Sequence, residues 1–338
     1  MVTMNPNTLR HLSNPNNGTR ALSYQEQLQY ISELNKICSK YSVGFSFSIG
    51  DFAPFFSISN NKKIWHITEP GRIKVKQWLF QYFPDLTASG PLHLYRFLPD
   101  FVFESLFQGN ILRMSSMAKN RKKNGPGEYE DFFKIIGLQY DQQEIDDVAA
   151  STYLMCFISD WKKKYMWEKY VNSYKGFCIE VELNAKQQSN DFWGVREVSY
   201  QPQSSYAFMS DLIATFKSQY QIELVLPWSR FAYIYKGPDF SDELETRIYI
   251  SEPTIAFGKD AYNSFVGEKY PKQQEIDQDG DTMYYIDIPL DNDLFKIDVK
   301  NVYIGSELDN ERKDHMKQIL TSLDLSWEEI SSSDSRLI

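Results

Sequence analysis

The sequence predicts an α+β fold: a mixed, mainly antiparallel sheet core with flanking helices, preceded by a small N-terminal α/β subdomain. Three observations predict it. Between residues 92 and 322, short strand-like and helix-like segments follow one another with no internal repeat. Cys156 to Glu182 reads as a helix leading into a buried strand, and DELETRIYI (242–250) alternates with the period of two that marks a strand.

At 338 residues the chain has room for one large domain and a smaller appendage. Hydrophobic residues make up 42% and aromatic residues 15%, enough for a sizeable core whose Tyr and Trp side chains keep polar tips. No run of eighteen apolar residues occurs and the N-terminus is polar, so the expectation is a cytoplasmic protein without a membrane segment. Cys38, Cys156 and Cys178 are an odd number at wide spacing, which fits reduced thiols. Four histidines, none at ligand spacing from a cysteine, argue against structural zinc. Net charge is −9, yet residues 1–90 carry nine Lys/Arg against five Asp/Glu while the remainder carries 27 against 40. An acidic body argues against broad capture of nucleic acid.

Four segments are expected: a flexible arm (1–20), a small basic subdomain (21–90), the main domain (91–325) and a tail (326–338). In the subdomain, Ser23 is a plausible N-cap for a helix whose stripe is Leu28, Ile31, Leu34 and Ile37. Residues 43–59 predict two short strands broken near Gly50 and Pro54. IWHITEPGR predicts a strand and a turn at Pro70-Gly71, with a helix behind it; this order loosely resembles the wing of winged-helix domains, although a docking subdomain is the preferred reading. Residues 85–92 read as a linker.

In the main domain, strands are expected at His93–Phe97, Asn110–Ser115, Thr152–Phe157, Phe177–Leu183 and Tyr284–Ile288, with two more around KGPDFSDELETR. Helices are expected at Phe101–Gln108, Tyr129–Leu138, near Tyr206–Phe216 and from Asn310 to Leu323.

Two segments carry chemical information. In CFISDWKKKYMWEKYVNSYKGF, Ser159 or Asp160 can cap a helix that ends at Gly176, the residue favoured for a left-handed C-terminal position. Trp167, Tyr170 and Tyr174 then share one helix face, either packed on the sheet or walling a cleft for a flat ligand. In KGPDFSDELETR, a strand places Glu243, Glu245, Arg247 and Tyr249 on one face. That face is either a solvated salt-bridge ladder on an edge strand or a cleft-facing set of ionisable groups. Arg247 or Lys236 would offset the mutual repulsion of the two carboxylates.

On these residues the chain resembles the bacterial domain-of-unknown-function family 2971, over roughly residues 92–322. The family's motifs appear in order as Tyr95-Arg96-Phe97, Met114-Ser115-Ser116, Asn124-Gly125-Pro126-Gly127-Glu128, Cys156-Phe157, Met166-Trp167, Tyr170, Lys175-Gly176, Lys236, Phe240, Glu243, Glu245 and Arg247. Ile158, Lys169 and Gly125 depart from the family pattern, which has Ser, His and Asp there.

A weaker likeness is to ADP-ribosyltransferases of bacterial toxin and phage-defence systems, which carry an Arg or His on the first strand, a Ser or Tyr on the next and a Glu, sometimes within Glu-x-Glu, on a later one; Arg96, Ser115 or Ser116, and Glu243-Leu244-Glu245 occur here in that order. That resemblance implies an ADP-ribosyltransferase-like core with NAD as cofactor. Arg96 would clamp the pyrophosphate, with Tyr95, Ser115 and Arg247 completing the binding set, and Trp167 or Tyr170 would stack on nicotinamide. Glu245 and Glu243 would be catalytic, one stabilising the oxocarbenium-like ribose and the other positioning or deprotonating an acceptor. The reading requires Arg96, Glu243 and Glu245 to converge on one cleft. It implies a nucleic-acid or protein acceptor and a partner such as an antitoxin.

Other enzyme signatures, including GxSxG, Walker A, HExxH and the kinase motifs, do not occur. Lys119–Lys123 could meet a phosphate-bearing ligand or be a solvated loop, and the acidic stretches Asp141–Asp147 and Asp279–Asp281 lack the full ligand loop of a calcium site. The competing expectation is a non-catalytic nucleotide- or protein-binding component of a toxin–antitoxin or defence system.

Overall fold

The computed structural model describes residues 18–59, 61–82, 85–118, 128–138, 146, 149–190, 192–200, 204–226, 232–251, 270–276 and 282–338. The readings made for the arm before residue 18, the basic run Lys119–Lys123, the loop Asn124–Gly127 and, Asp146 apart, the two acidic stretches lie outside the described residues.

In chain order the first elements are β1 (Gly18–Ala21), α1 (Tyr24–Lys40), β2 (Phe52–Ser59), β3 (Lys62–Ile67), α2 (Glu69–Tyr82), β4 (Leu92–Pro99), α3 (Phe103–Phe107) and β5 (Ile111–Ser116). Next come α4 (Glu128–Ile136), β6 (Thr152–Ile158), α5 (Lys164–Lys169), β7 (Gly176–Ala185), β8 (Trp193–Glu197), α6 (Ser204–Thr215) and β9 (Ile222–Val225). The last are β10 (Glu245–Ser251), β11 (Gln273–Ile276), β12 (Thr282–Pro289), β13 (Phe295–Gly305), α7 (Asn310–Ser322) and β14 (Ser326–Ile330). Helices beside mixed, mostly antiparallel sheets make this an α+β protein. Among the described residues no helix is long and apolar enough to cross a membrane.

The chain divides into two compact units. The described residues of Met1–Pro84, Asn124–Ile145 and Ser199–Asp239 form the first, and those of Asp85–Lys123, Asp146–Val198 and Phe240–Ile338 form the second. The chain therefore passes between the units more than once, where the sequence reading drew one boundary at residue 90.

The first unit is built on a four-stranded sheet in the order β1-β2-β3-β9, with only the β3–β9 pair parallel. Its leading helix starts on a capping box: the Ser23 hydroxyl accepts from the Glu26 N–H at 3.2 Å, and the Glu26 carboxylate accepts from the Ser23 N–H at 2.9 Å. The buried stripe of α1 is Gln27, Tyr30, Ile31, Leu34, Ile37 and Cys38, and Leu28 faces outward. A strict three-residue spacing slips 60° per step on a 3.6-residue helix, which carries Leu28 off the face. Residues 52–59 form one strand, and the irregularity at Pro54 is absorbed as a register shift between Phe52 and Phe56. Pro70 and Gly71 lie inside the first turn of α2, where proline gives up no needed N–H and a Cβ on Gly71 would stand 2.4 Å from the Asp51 carbonyl oxygen. Trp65 is the hub of this unit's core, stacked on Phe52 at 4.3 Å and met edge-on by Tyr30 at 5.6 Å.

The second unit holds a ten-stranded sheet in the order β11-β12-β5-β6-β4-β7-β13-β14; β10 joins the other edge of β6, and β8 pairs with β10. All its pairs are antiparallel except β13–β14. One face packs the larger core, which includes Leu94, Phe157, Ile179, Ile248 and Val302. On the other face a smaller aromatic core gathers Trp161, Trp167, Tyr174, Cys178 and Tyr303. Residues 326–338, expected as a tail, contribute β14, and Ile338 closes against the segment before α5: its N–H donates to the Lys162 carbonyl at 2.8 Å and its own carbonyl accepts from the Lys164 N–H at 2.9 Å.

Candidate functional site

The site residues predicted from sequence all belong to the second unit, so the sheet itself decides which of them meet. Helix α5 is shorter than expected. It begins after Lys163, which makes no side-chain cap, and the Asp160 carboxylate accepts from the Lys162 N–H at 3.0 Å just ahead of it. The left-handed turn that ends it is made by Asn172, Ser173 and Tyr174, with φ of 48°, 55° and 68°, and not by Gly176. Gly176 is needed for close approach: a Cβ there would stand 2.5 Å from the Leu98 carbonyl oxygen.

Trp167 is wholly buried. Its ring stacks on Tyr174 at 5.6 Å, meets the edge of Phe97 at 5.0 Å, and its Nε1 donates to the Trp161 carbonyl at 2.9 Å. The expectation that it walls a cleft is corrected; it is core. Tyr170 departs from that stripe and is 39% exposed.

Tyr170 instead reaches Glu243. Its hydroxyl donates to Glu243 Oε1 at 2.7 Å, and Lys169 Nζ stands 3.6 Å from the same oxygen. The Lys169 ammonium also lies 4.9 Å from the Tyr170 ring centroid and 4.7 Å from that of Phe240. The result is a buried carboxylate beneath an exposed ammonium with two aromatic neighbours. Glu243 is not on the strand. It ends the 3₁₀ turn Pro238–Glu243, and Leu244, with φ of 48° and its side chain exposed, breaks the run before β10 starts at Glu245. The expected four-residue ladder is thus corrected to Glu245, Arg247 and Tyr249.

Nor is β10 an edge. It lies between β6 and β8, and every residue from Glu245 to Ile250 is buried. Both oxygens of Glu245 are taken by Arg247, whose Nε donates to Oε1 at 2.7 Å and whose Nη2 donates to Oε2 at 3.2 Å. Arg196 on β8 sits directly opposite Arg247, is equally buried, and donates from Nη2 to Ser189 Oγ at 3.1 Å. Sequence reasoning missed Arg196, although the alternation in WGVREV carries the signal that it shares a face with Gly194.

Register assigns the remaining residues to faces. Ile158 is paired both with Glu245 and with Tyr95, so these three point to one side of the sheet. Ser115 is paired with Leu154, which is paired in turn with Tyr249, and so falls on that side too. Tyr95 packs against the aromatic core with its ring 6.3 Å from Tyr303, and burial raises its phenol pKa. Arg96, the next residue after Tyr95, turns to the opposite face. There its guanidinium lies 5.6 Å from the Phe157 ring centroid and Nη2 donates to the Arg113 carbonyl at 3.3 Å.

The structure therefore brings Tyr95, Ser115, Glu245 and Arg247 to one face and joins Glu243 to Tyr170. It does not bring Arg96 to either glutamate. Among the described residues no group of three His, Cys, Asp or Glu is placed to hold a metal ion.

No curated protein and no solved structure matches the chain. Residues 166–248 match the family model described as protein of unknown function (DUF2971), a narrower span than the 92–322 read from the motifs. It runs from Met166 on α5 to Ile248 on β10 and so takes in Trp167, Tyr170, Glu243, Glu245 and Arg247. Through this region the chain is similar to the DUF2971 family.

Proposed function

We propose that the second unit is a nucleotide-binding component that does not turn its ligand over, with NAD and other adenine nucleotides as the ligands to assay. The observation that carries this reading is the group formed by Lys169, Tyr170 and Phe240 over Glu243. Half-exposed rings offer stacking surfaces for a planar base, and an exposed ammonium between them can meet a phosphate. Buried Glu243 holds Tyr170 and Lys169 in place from below. The geometry of β10 supports the reading without turnover. A carboxylate that stabilises a developing cation must touch it, and the Glu245 oxygens are occupied by Arg247 in a buried bidentate pair.

Calorimetry with NAD, ADP-ribose and ATP tests the reading. Binding should weaken as salt is raised and weaken at least tenfold in Lys169→Glu, and labelled NAD should release no nicotinamide. Nicotinamide release that disappears in Glu245→Gln would establish the ADP-ribosyltransferase alternative. Failure of all three nucleotides to bind at millimolar concentration would remove the nucleotide reading.

A further inference from the structure

Strand β6 is paired differently along its two edges. One edge carries β10 over the full length from Thr152 to Ile158. The other is divided: Ser115 and Ser116 of β5 pair with Leu154 and Tyr153, while β4 touches it only at Tyr95↔Ile158. Opposite residues 155–157 the two strands have separated, and the sheet opens into a fork. Arg96 extends into that fork on the face of Phe157, where its hydrogen bond to the Arg113 carbonyl spans the gap.

This guanidinium is incompletely matched. Nη1 is sealed from solvent, and among the described residues it has no hydrogen-bond partner and no carboxylate pairs with Arg96. Burial pushes its pKa down to about 10, so the group stays charged at neutral pH. A second group points the same way: Ser116 is wholly buried on the same face, paired with Tyr153, and among the described residues its hydroxyl also lacks a partner. Thr246, opposite Phe157 on β10, adds a second buried hydroxyl to that face. Arg96 is half-buried overall, but a guanidinium nitrogen sealed from solvent without an acceptor is costly, because buried donors are ordinarily satisfied.

We infer that the fork between β4 and β5 binds a small oxyanion, a carboxylate or inorganic phosphate, against the Arg96 guanidinium. The planar donor fork of arginine fits two oxygens of one group, and the sealed position of Nη1 limits the ligand to a few atoms. The site is on the opposite sheet face from Glu245 and is independent of the nucleotide reading.

The test uses the full chain in a zwitterionic buffer of low salt. Its thermal midpoint is followed while sodium formate, sodium phosphate or sodium chloride is added at matched ionic strength. Formate or phosphate should raise the midpoint saturably, and whichever acts names the ligand class; chloride should not. Arg96→Met should fold, having lost an unmatched charge, and should not respond. If that variant fails to fold, Arg96→Lys keeps the charge without the planar fork and should need at least tenfold more anion. Exchange broadening of the ¹³C-formate resonance by the wild-type chain reads occupancy without any variant. Lys169→Glu should keep the full anion response, which separates this site from the nucleotide site. A flat wild-type midpoint in both oxyanions, an equal response to chloride, or an undiminished response in Arg96→Met would overturn the inference.

Discussion

Arg96 and Glu245 lie on opposite faces of one sheet, because Tyr95, the residue before Arg96, shares the register partner Ile158 with Glu245. Glu245 is therefore matched within its own strand, by Arg247. Both members of this pair are fully buried, so the loss of one strands the other. Arg247→Met should destabilise the fold by about 3–5 kcal/mol, since it leaves a buried carboxylate without its cation. The double variant Glu245→Leu/Arg247→Met should recover most of that loss. Urea unfolding of the three proteins measures it, and equal stability of the single and double variants would show that the pair is not coupled.

Tyr170→Phe tests the other glutamate. It removes the hydroxyl that donates to Glu243 Oε1 at 2.7 Å and keeps the ring. A hydrogen bond to a charged group contributes about 1.5–3 kcal/mol, and the exposure of Tyr170 places the expected loss at the lower end. Nucleotide affinity should change less than in Lys169→Glu, because stacking needs the ring alone. A larger loss of affinity in Tyr170→Phe than in Lys169→Glu would shift the binding role to the phenol.

His66 gives the first unit a pH dependence. Burial lowers its pKa, and its Nε2 lies 3.1 Å from Ser57 Oγ. A histidine held neutral in the fold binds fewer protons than it does in the unfolded chain. Its contribution is present above the unfolded value of about 6.5 and is lost as pH falls from there through the folded value. Stability followed from pH 7.5 to 5 should decline, and His66→Gln should flatten that part of the profile. An identical slope in the variant would assign the decline to other groups.

The parts of this fold that were legible in the sequence are those set by local chemistry. The N-cap Ser23 announces α1, and the apolar runs of β6 and β7 announce buried strands, because each signal lies within one element. The parts that were not legible depend on neighbours. Alternation shows that Tyr95 and Arg96 face opposite ways, but only the pairing of β4 with β6 says which of them faces Glu245. Likewise nothing in DELETR shows that Leu244 adopts a left-handed conformation and takes Glu243 out of the strand. Strand β13 went unread, although it is the longest in the sheet, since FKIDVKNVYIG mixes charges into its first half and carries a bulge between Val299 and Asn301. Family likeness could order these motifs along the chain, but the face each occupies is a property of the assembled sheet.

Gly305 makes the sharpest steric prediction. It ends β13 beneath the left-handed turn that follows α5, and a Cβ there would stand 2.1 Å from the Tyr174 carbonyl oxygen and 3.0 Å from that of Gly176. Both obstacles are backbone, so neither can swing aside as a flexible side chain would. Relief would require moving the turn, and with it Tyr174, whose ring stacks on Trp167 at the centre of the aromatic core. Overpacking of this kind costs about 1–3 kcal/mol where a core can yield, and more where it cannot. Gly305→Ala should therefore lose at least about 3 kcal/mol in urea unfolding. The same substitution at Gly18, where a Cβ would meet nothing within 4 Å, should be nearly neutral. Comparable losses at both positions would mean that glycine's backbone freedom, and not the contact with Tyr174, is what β13 requires.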